Sequence, residues 1–132
     1  MKSFLKQFAV VLALSLYAAT VGASGTDLTI HLKGSEPITR RVVTLQCDAE
    51  GVKLGLPAGP FSVEYINGAG NSLAVLPISG KSLIFANVMA ASGARYAAGN
   101  YIWWDAGTRG ITLYSDSLTG KDQSTCRRTD KD

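Results

Sequence analysis

The chain has very few of the residues from which metal centres and hydrolase active sites are built. His31 is its only histidine, and Cys47 and Cys126 are its only cysteines. A structural zinc site usually needs four cysteine or histidine ligands, and a serine or cysteine nucleophile needs a basic group, most often histidine, beside it. We therefore expect no metal, no cofactor and no enzymatic activity.

A strong excess of charge of one sign is also missing. The chain has 13 Lys+Arg against 10 Asp+Glu residues, and two of the lysines, Lys2 and Lys6, precede an apolar run over residues 8–21 followed by Gly22-Ala23. This is the pattern of a cleaved export signal. We predict that residues 1–23 are a signal peptide and that residues 24–132 form one mature domain. That domain is nearly neutral, so we expect no nucleic-acid partner.

The export signal also defines the expected compartment. Its apolar run is short for a membrane span, and no cysteine stands at the cleavage point to carry a lipid. We therefore expect a periplasmic protein without a stable membrane anchor. In an exported protein a single pair of cysteines predicts a disulfide, here between Cys47 and Cys126. Closing a loop of roughly 80 residues would stabilise the fold by about 4 kcal/mol.

The mature region shows short alternating runs bounded by turn residues, and no long segment of helical period. This pattern predicts an all-β fold, a small antiparallel β-barrel of about eight strands or a sandwich, with a turn at Asn67-Gly68. A strand over 82–89, apolar and next to a proline-bearing strand, could be a covered edge, which leaves a homodimer open. The predicted strands cover residues 27–33, 39–47, 52–56, 61–66, 72–78, 82–89, both halves of 91–107, and 110–115.

The densest stretch is ASGARYAAGNYIWWDAG, residues 91–107. A turn over residues 97–100 would place Tyr96 opposite Tyr101 and Ser92 opposite Asp105, at the open end of one hairpin. Cross-strand aromatic pairs explain the tyrosines and tryptophans as sheet-stabilising residues. They do not explain the Ser92-Gly93 pair at the open end.

This stretch resembles the bacterial inhibitors of c-type lysozyme, a family with a membrane-anchored branch (MliC) and a soluble periplasmic branch (PliC). The matching residues are S-G-A-R-Y at 92–96, Gly99, Y-I-W-W at 101–104, and Gly107. The likeness is dense over 92–107 and looser over the rest of the chain from about Thr39. Without a lipid-carrying cysteine, the sequence is most similar to the soluble branch.

The resemblance implies an eight-stranded antiparallel β-barrel whose partner is c-type lysozyme and which blocks the enzyme's cleft. In the family a serine enters that cleft, and Ser92 occupies its position. The lysine that assists it 14 residues later in the membrane-anchored branch is replaced by Ala106, so Arg109 is our candidate for the missing cation. The residues predicted to bind lysozyme are Ser92, Gly93, Tyr96, Asp105, Ala106 and Arg109.

Two other classes of function have some support in the sequence. The aromatic residues of 91–107 could stack on sugar rings in a carbohydrate- or peptidoglycan-binding module, provided that a pair of them is exposed. An enzyme would have to use His31, or a carboxylate pair drawn from Glu50, Glu64 and Asp105, and no spacing selects any such pair.

Overall fold

The computed structural model of the protein describes residues 27–130. All helices and strands of the described residues lie in one compact unit that begins at His31. The predicted signal peptide, residues 1–23, lies outside the described residues. None of the helices within 27–130 is long and apolar enough to cross a membrane.

Eight antiparallel strands form a closed barrel in which each strand pairs with the next and the last pairs with the first. This confirms the predicted fold class. β4 lies between β3 and β5 rather than at an edge, so the sheet edge that left a homodimer open is absent from the described barrel. The strands are β1 (Thr39–Cys47), β2 (Phe61–Gly68), β3 (Asn71–Ile78), β4 (Lys81–Val88), β5 (Ala94–Ala98), β6 (Tyr101–Asp105), β7 (Ile111–Tyr114) and β8 (Gln123–Arg128).

Two predicted strands are wrong. Residues 27–33 form no strand, because the barrel closes with the eight strands that follow them. Residues 52–56 contain the end of a short helix, α1 (Ala49–Lys53), instead. Asp48 begins this helix, since its carboxylate accepts a hydrogen bond from the Gly51 N–H at 3.3 Å, the usual role of an N-cap aspartate.

The sequence pattern missed one strand and misplaced one turn. β8 was not predicted, since its sequence QSTCRR has few apolar residues, yet Ser124 and Cys126 alternate into the interior. The β2–β3 turn lies at Ala69-Gly70, both with positive φ (53° and 73°), rather than at Asn67-Gly68. Two positive φ values are typical of the type I′ turn that joins twisted strands.

The core fills the barrel with the inward side chains of every strand. Trp103, Phe85, Leu45, Leu76 and Leu113 are its largest fully buried side chains on strands. The predicted disulfide is confirmed: Cys47 and Cys126 pair directly across β1 and β8, 79 residues apart in the sequence.

The two ends of the barrel are built differently. At one end lie the connections β1–β2, β3–β4, β5–β6 and β7–β8; α1 and the buried residues Leu54 and Leu56 belong to the first of these. We call it the closed end. At the other end lie the β2–β3 turn and two longer connections, residues 89–93 and 106–110. We call these two loops the rim.

Candidate functional site: the rim of the barrel

The β5–β6 hairpin places the residues that support the rim. Ala98 pairs with Tyr101 across a two-residue turn, Gly99-Asn100, so that Tyr96 pairs with Trp103 and Ala94 with Asp105. Our predicted register, with Tyr96 opposite Tyr101 and Ser92 opposite Asp105, is therefore wrong by two residues. Gly99 has a φ of 57°, which suits the first central position of a type II′ turn. In the observed register Ser92 lies beyond the last paired residue, on the loop itself.

The aromatic residues of the hairpin point to both sides of the sheet. Tyr96 and Trp103 face the interior and are 5% and 0% exposed. Trp104 lies half-buried on the outer surface, with the guanidinium carbons of Arg95 and Arg109 at 5.4 Å and 5.7 Å from its ring centre. Within residues 91–107 the structure thus offers no exposed pair of aromatic rings to a sugar, which removes the support for the carbohydrate-binding alternative.

Ser92 is exposed and held from two sides. Its backbone carbonyl accepts a hydrogen bond from Trp104 Nε1 at 3.0 Å, and its hydroxyl oxygen accepts one from Arg109 Nη2 at 2.6 Å. A hydrogen bond from a charged donor is shorter and stronger than one between neutral groups. Because the hydroxyl acts as the acceptor here, its own hydrogen stays available for a partner molecule.

Gly93 is required by close packing as well as by its backbone conformation. Its φ is 68°, in the left-handed region that favours glycine. A Cβ atom at this position would lie 2.6 Å from the Asp105 carbonyl oxygen and 3.0 Å from both Ala106 Cα and Trp104 Nε1. Any side chain here would push the Ser92 loop away from the neighbouring loop.

A partly buried polar network holds the second rim loop from below. The Asp105 carboxylate accepts hydrogen bonds from the Gly107 N–H at 3.0 Å, and from the Tyr65 hydroxyl and Arg128 Nη2 at 3.3 Å each. Trp103 Nε1 in turn donates to the Tyr65 hydroxyl at 2.9 Å. Burial raises the pKa of Tyr65 far above its ordinary value, against the lowering effect of the Trp103 hydrogen bond. The hydroxyl therefore stays protonated and remains a donor to Asp105.

The second loop is itself a short 3-10 turn over Gly107–Arg109. Its ends are joined by a hydrogen bond from the Ala106 N–H to the Gly110 carbonyl at 2.9 Å. This turn directs the Arg109 side chain towards Ser92. Two loops that are separate in sequence are therefore linked into one surface.

The predicted binding residues occupy two levels. Ser92, Gly93 and Arg109 are exposed at the rim, and Ala106 is half-buried beside them. Tyr96 and Asp105 lie beneath the rim and support it. Sequence reasoning missed Trp104 as the link between the loops. It also missed Tyr65 and Arg128, because they lie 40 and 23 residues from Asp105 and no local sequence pattern connects them to it.

Comparison with known proteins gives one consistent result. The family model "MliC: Membrane-bound lysozyme-inhibitor of c-type lysozyme" matches residues 57–119. Two relatives carry the name membrane-bound lysozyme inhibitor of C-type lysozyme. The one from Pseudomonas aeruginosa is 46% identical over 93 residues, which span 70% of this chain and 66% of the relative. The one from Cupriavidus necator is 40% identical over 95 residues, 70% of each chain.

A solved structure extends the match to the fold. The crystal structure of Pseudomonas aeruginosa MliC in complex with hen egg white lysozyme aligns with a TM-score of 0.62 and 36% sequence identity. The alignment covers 79% of this chain and 97% of that one. These similarities confirm the resemblance that the residues at 92–107 indicate.

Proposed function

The chain belongs to the MliC family of inhibitors of c-type lysozyme, and on that premise we propose that it inhibits c-type lysozyme by placing its rim in the enzyme's active-site cleft. The family consists of protein inhibitors, so no catalytic role is assigned to any residue. The partner is the lysozyme molecule itself, bound in a stoichiometric complex that needs no cofactor.

The observation that carries the proposal is the Ser92–Arg109 pair. The two side chains are joined at 2.6 Å on the exposed end of the barrel. The cleft of c-type lysozyme holds two carboxyl groups of which one is protonated and the other ionised. A hydroxyl donor with a guanidinium behind it is the chemical complement of an ionised carboxylate.

The geometry suggests how the pair acts. Arg109 engages the oxygen of Ser92, so the hydroxyl hydrogen is directed outward to donate to the ionised carboxylate of lysozyme. The positive charge of Arg109 strengthens that hydrogen bond. It supplies the cation that the lysine provides in the membrane-anchored branch, where this chain has Ala106. Gly93 has no side chain, so the backbone can enter a narrow cleft beside Ser92.

The support beneath the rim reduces the cost of binding. Trp104 fixes the Ser92 carbonyl and Asp105 fixes the Gly107 N–H, so both loops are held before the partner arrives. Ordering a flexible loop on binding would cost about 0.5–1.5 kcal/mol for each immobilised side chain. One serine does not supply the whole affinity, and a stable complex of this kind buries about 800 Å² on each partner.

Membership of the family supports a location at the bacterial envelope. Its members act at the bacterial envelope, where lysozyme reaches peptidoglycan. We propose in addition that this chain is the soluble periplasmic form, released when residues 1–23 are removed. Inhibition in that compartment would protect peptidoglycan from lysozyme.

A titration tests the proposal. The purified protein with its disulfide formed is added to c-type lysozyme acting on bacterial cell walls, and a g-type lysozyme serves as the control. We expect c-type activity to disappear near an equimolar ratio while g-type activity persists. Full c-type activity in the presence of a large molar excess of the protein would refute the proposal.

A further inference from the structure

Met89, the first residue of the rim, is 95% exposed. Among the described residues no other large apolar side chain is as exposed; Leu28 follows at 73% and Val42 at 61%. Burying a methionine side chain contributes about 1.5–3 kcal/mol. This contribution is missing from the isolated protein and is available to a complex.

The backbone on both sides of Met89 is anchored. Val88 pairs with Arg95 across β4 and β5, and Asn87 Nδ2 donates to the Arg95 carbonyl oxygen at 3.1 Å. Three residues after Met89, the Ser92 carbonyl is held by Trp104. The thioether therefore projects from a loop whose two limbs are fixed, on the same short loop as Ser92.

From this placement we infer that Met89 is an apolar contact with lysozyme and that its oxidation to the sulfoxide weakens inhibition. The inference rests on the proposed function. A flexible thioether adapts to irregular apolar grooves, whereas a sulfoxide is polar and chiral and disrupts such contacts. Met89 is the only methionine after Met1, so mild oxidation of the mature domain has a single thioether target.

The reaction needs only a peroxide. With hydrogen peroxide, the O–O bond breaks and one oxygen atom is transferred to the sulfur. The other oxygen atom leaves with both hydrogens as water. The sulfur loses two electrons and the peroxide gains them. Methionine sulfoxide reductases reverse the change with a thiol reductant, so the site would act as a reversible switch of the inhibitor.

The test compares the oxidised and untreated protein. The protein is treated with hydrogen peroxide, the peroxide is removed before lysozyme is added, and mass spectrometry verifies a gain of one oxygen at Met89. We expect the inhibition constant against c-type lysozyme to rise about tenfold, which corresponds to roughly 1.4 kcal/mol. Met89→Leu keeps the volume of the side chain and cannot form a sulfoxide, so its inhibition constant should be the same before and after treatment.

Equal inhibition by oxidised and untreated protein would overturn the inference. So would an equal loss in the treated Met89→Leu variant, because the sensitive residue would then be another one, such as Trp104. If the untreated protein does not inhibit lysozyme, the proposed function is refuted and the Met89 contact with it. If the untreated protein inhibits but oxidation has no effect, only the Met89 contact is refuted.

Discussion

The closed end and the rim of this barrel use different interactions for different purposes. At the closed end Leu54 and Leu56 are buried, and the Cys47–Cys126 disulfide links β1 to β8. The Asp48 carboxylate accepts a hydrogen bond from the backbone of β8. The rim exposes Ser92, Met89 and Arg109. Below it, Trp103 donates to the Tyr65 hydroxyl and Tyr65 donates to Asp105.

If the rim binds lysozyme as proposed, this difference separates stability from recognition. Apolar burial and a covalent link at one end stabilise the fold without needing a partner, so the other end can expose groups that contribute little to folding. Substitutions at the closed end should therefore change the free energy of unfolding, and substitutions at the rim should change inhibition. The four predictions below test that separation, in order of decreasing effect.

Removing the disulfide should have the largest effect on stability. The double variant Cys47→Ala/Cys126→Ala leaves no unpaired thiol and releases a constraint across 79 residues, so we expect a loss of about 4 kcal/mol in the free energy of unfolding. At a temperature where the variant is still folded, inhibition should stay within about twofold of the original. Urea unfolding and the lysozyme assay measure the two quantities. Unchanged unfolding, or a large loss of inhibition by the folded variant, would contradict the separation.

Ser92→Ala and Arg109→Ala should have the opposite profile. A hydrogen bond to a charged group contributes about 1.5–3 kcal/mol, so each variant should inhibit roughly 10- to 100-fold less well. The double variant should lose less than the sum, because the two residues act through one contact. The free energy of unfolding should change by no more than about 0.5 kcal/mol.

Matched controls are available away from the rim. Ser82, at the closed end of β4, and Arg127, on the outer wall of β8, are both exposed. Ser82→Ala and Arg127→Ala should leave inhibition unchanged. If these controls weaken inhibition as much as the rim variants do, the binding surface is not the rim.

Asp48 should make the stability of the closed end depend on pH. Burial acts to raise the pKa of Asp48, but hydrogen bonds from the Thr125 N–H, the Ser124 hydroxyl and the Gly51 N–H together hold it below its ordinary value of 3.8. A carboxyl group with a lowered pKa in the folded state stabilises the fold above the unfolded pKa, and this stabilisation is lost as the pH falls through the folded pKa.

Asp48→Ala should therefore cost about 1 kcal/mol at neutral pH, the usual effect of losing an N-cap, and should flatten the fall in stability below about pH 4. Asp130 also has a lowered pKa, chiefly through the Thr44 N–H, so part of the acid sensitivity should remain. Unfolding by urea at a series of pH values measures this. An acid profile identical to that of the original protein would show that Asp48 does not contribute.

Trp104→Phe should have the smallest effect. It keeps an aromatic ring between Arg95 and Arg109 but removes the N–H that binds the Ser92 carbonyl. One neutral hydrogen bond contributes about 1 kcal/mol, so inhibition should weaken by about fivefold or less. Trp104→Leu, which also removes the ring, should weaken it further. If both variants inhibit like the original, Trp104 does not position the rim.

The strands could be predicted where the signal was local. β1 was predicted with its observed bounds, because alternating apolar residues and flanking turn residues mark it. Residues 52–56 were predicted as a strand because Val52, Leu54 and Leu56 alternate equally well. The helix there depends on Asp48, whose partners Ser124 and Thr125 lie 76 and 77 residues away, and no local pattern contains that information.

The same limit applies to the rim. Ser92 and Arg109 were identified from the motif and its missing lysine, and the structure brings them together. Trp104 could not be identified as their link, because the predicted register of the hairpin differed from the observed one by two residues. Turn chemistry at Gly99-Asn100 decides that register, and the four small residues at 97–100 allow more than one turn.

Hydrogen exchange of the protein alone and in complex with c-type lysozyme tests the central claim most directly. The account predicts that lysozyme slows amide exchange in residues 89–93 and 106–110, while residues 48–60 and 115–122 exchange at the same rate in both states. Protection at the closed end with none at the rim would contradict it.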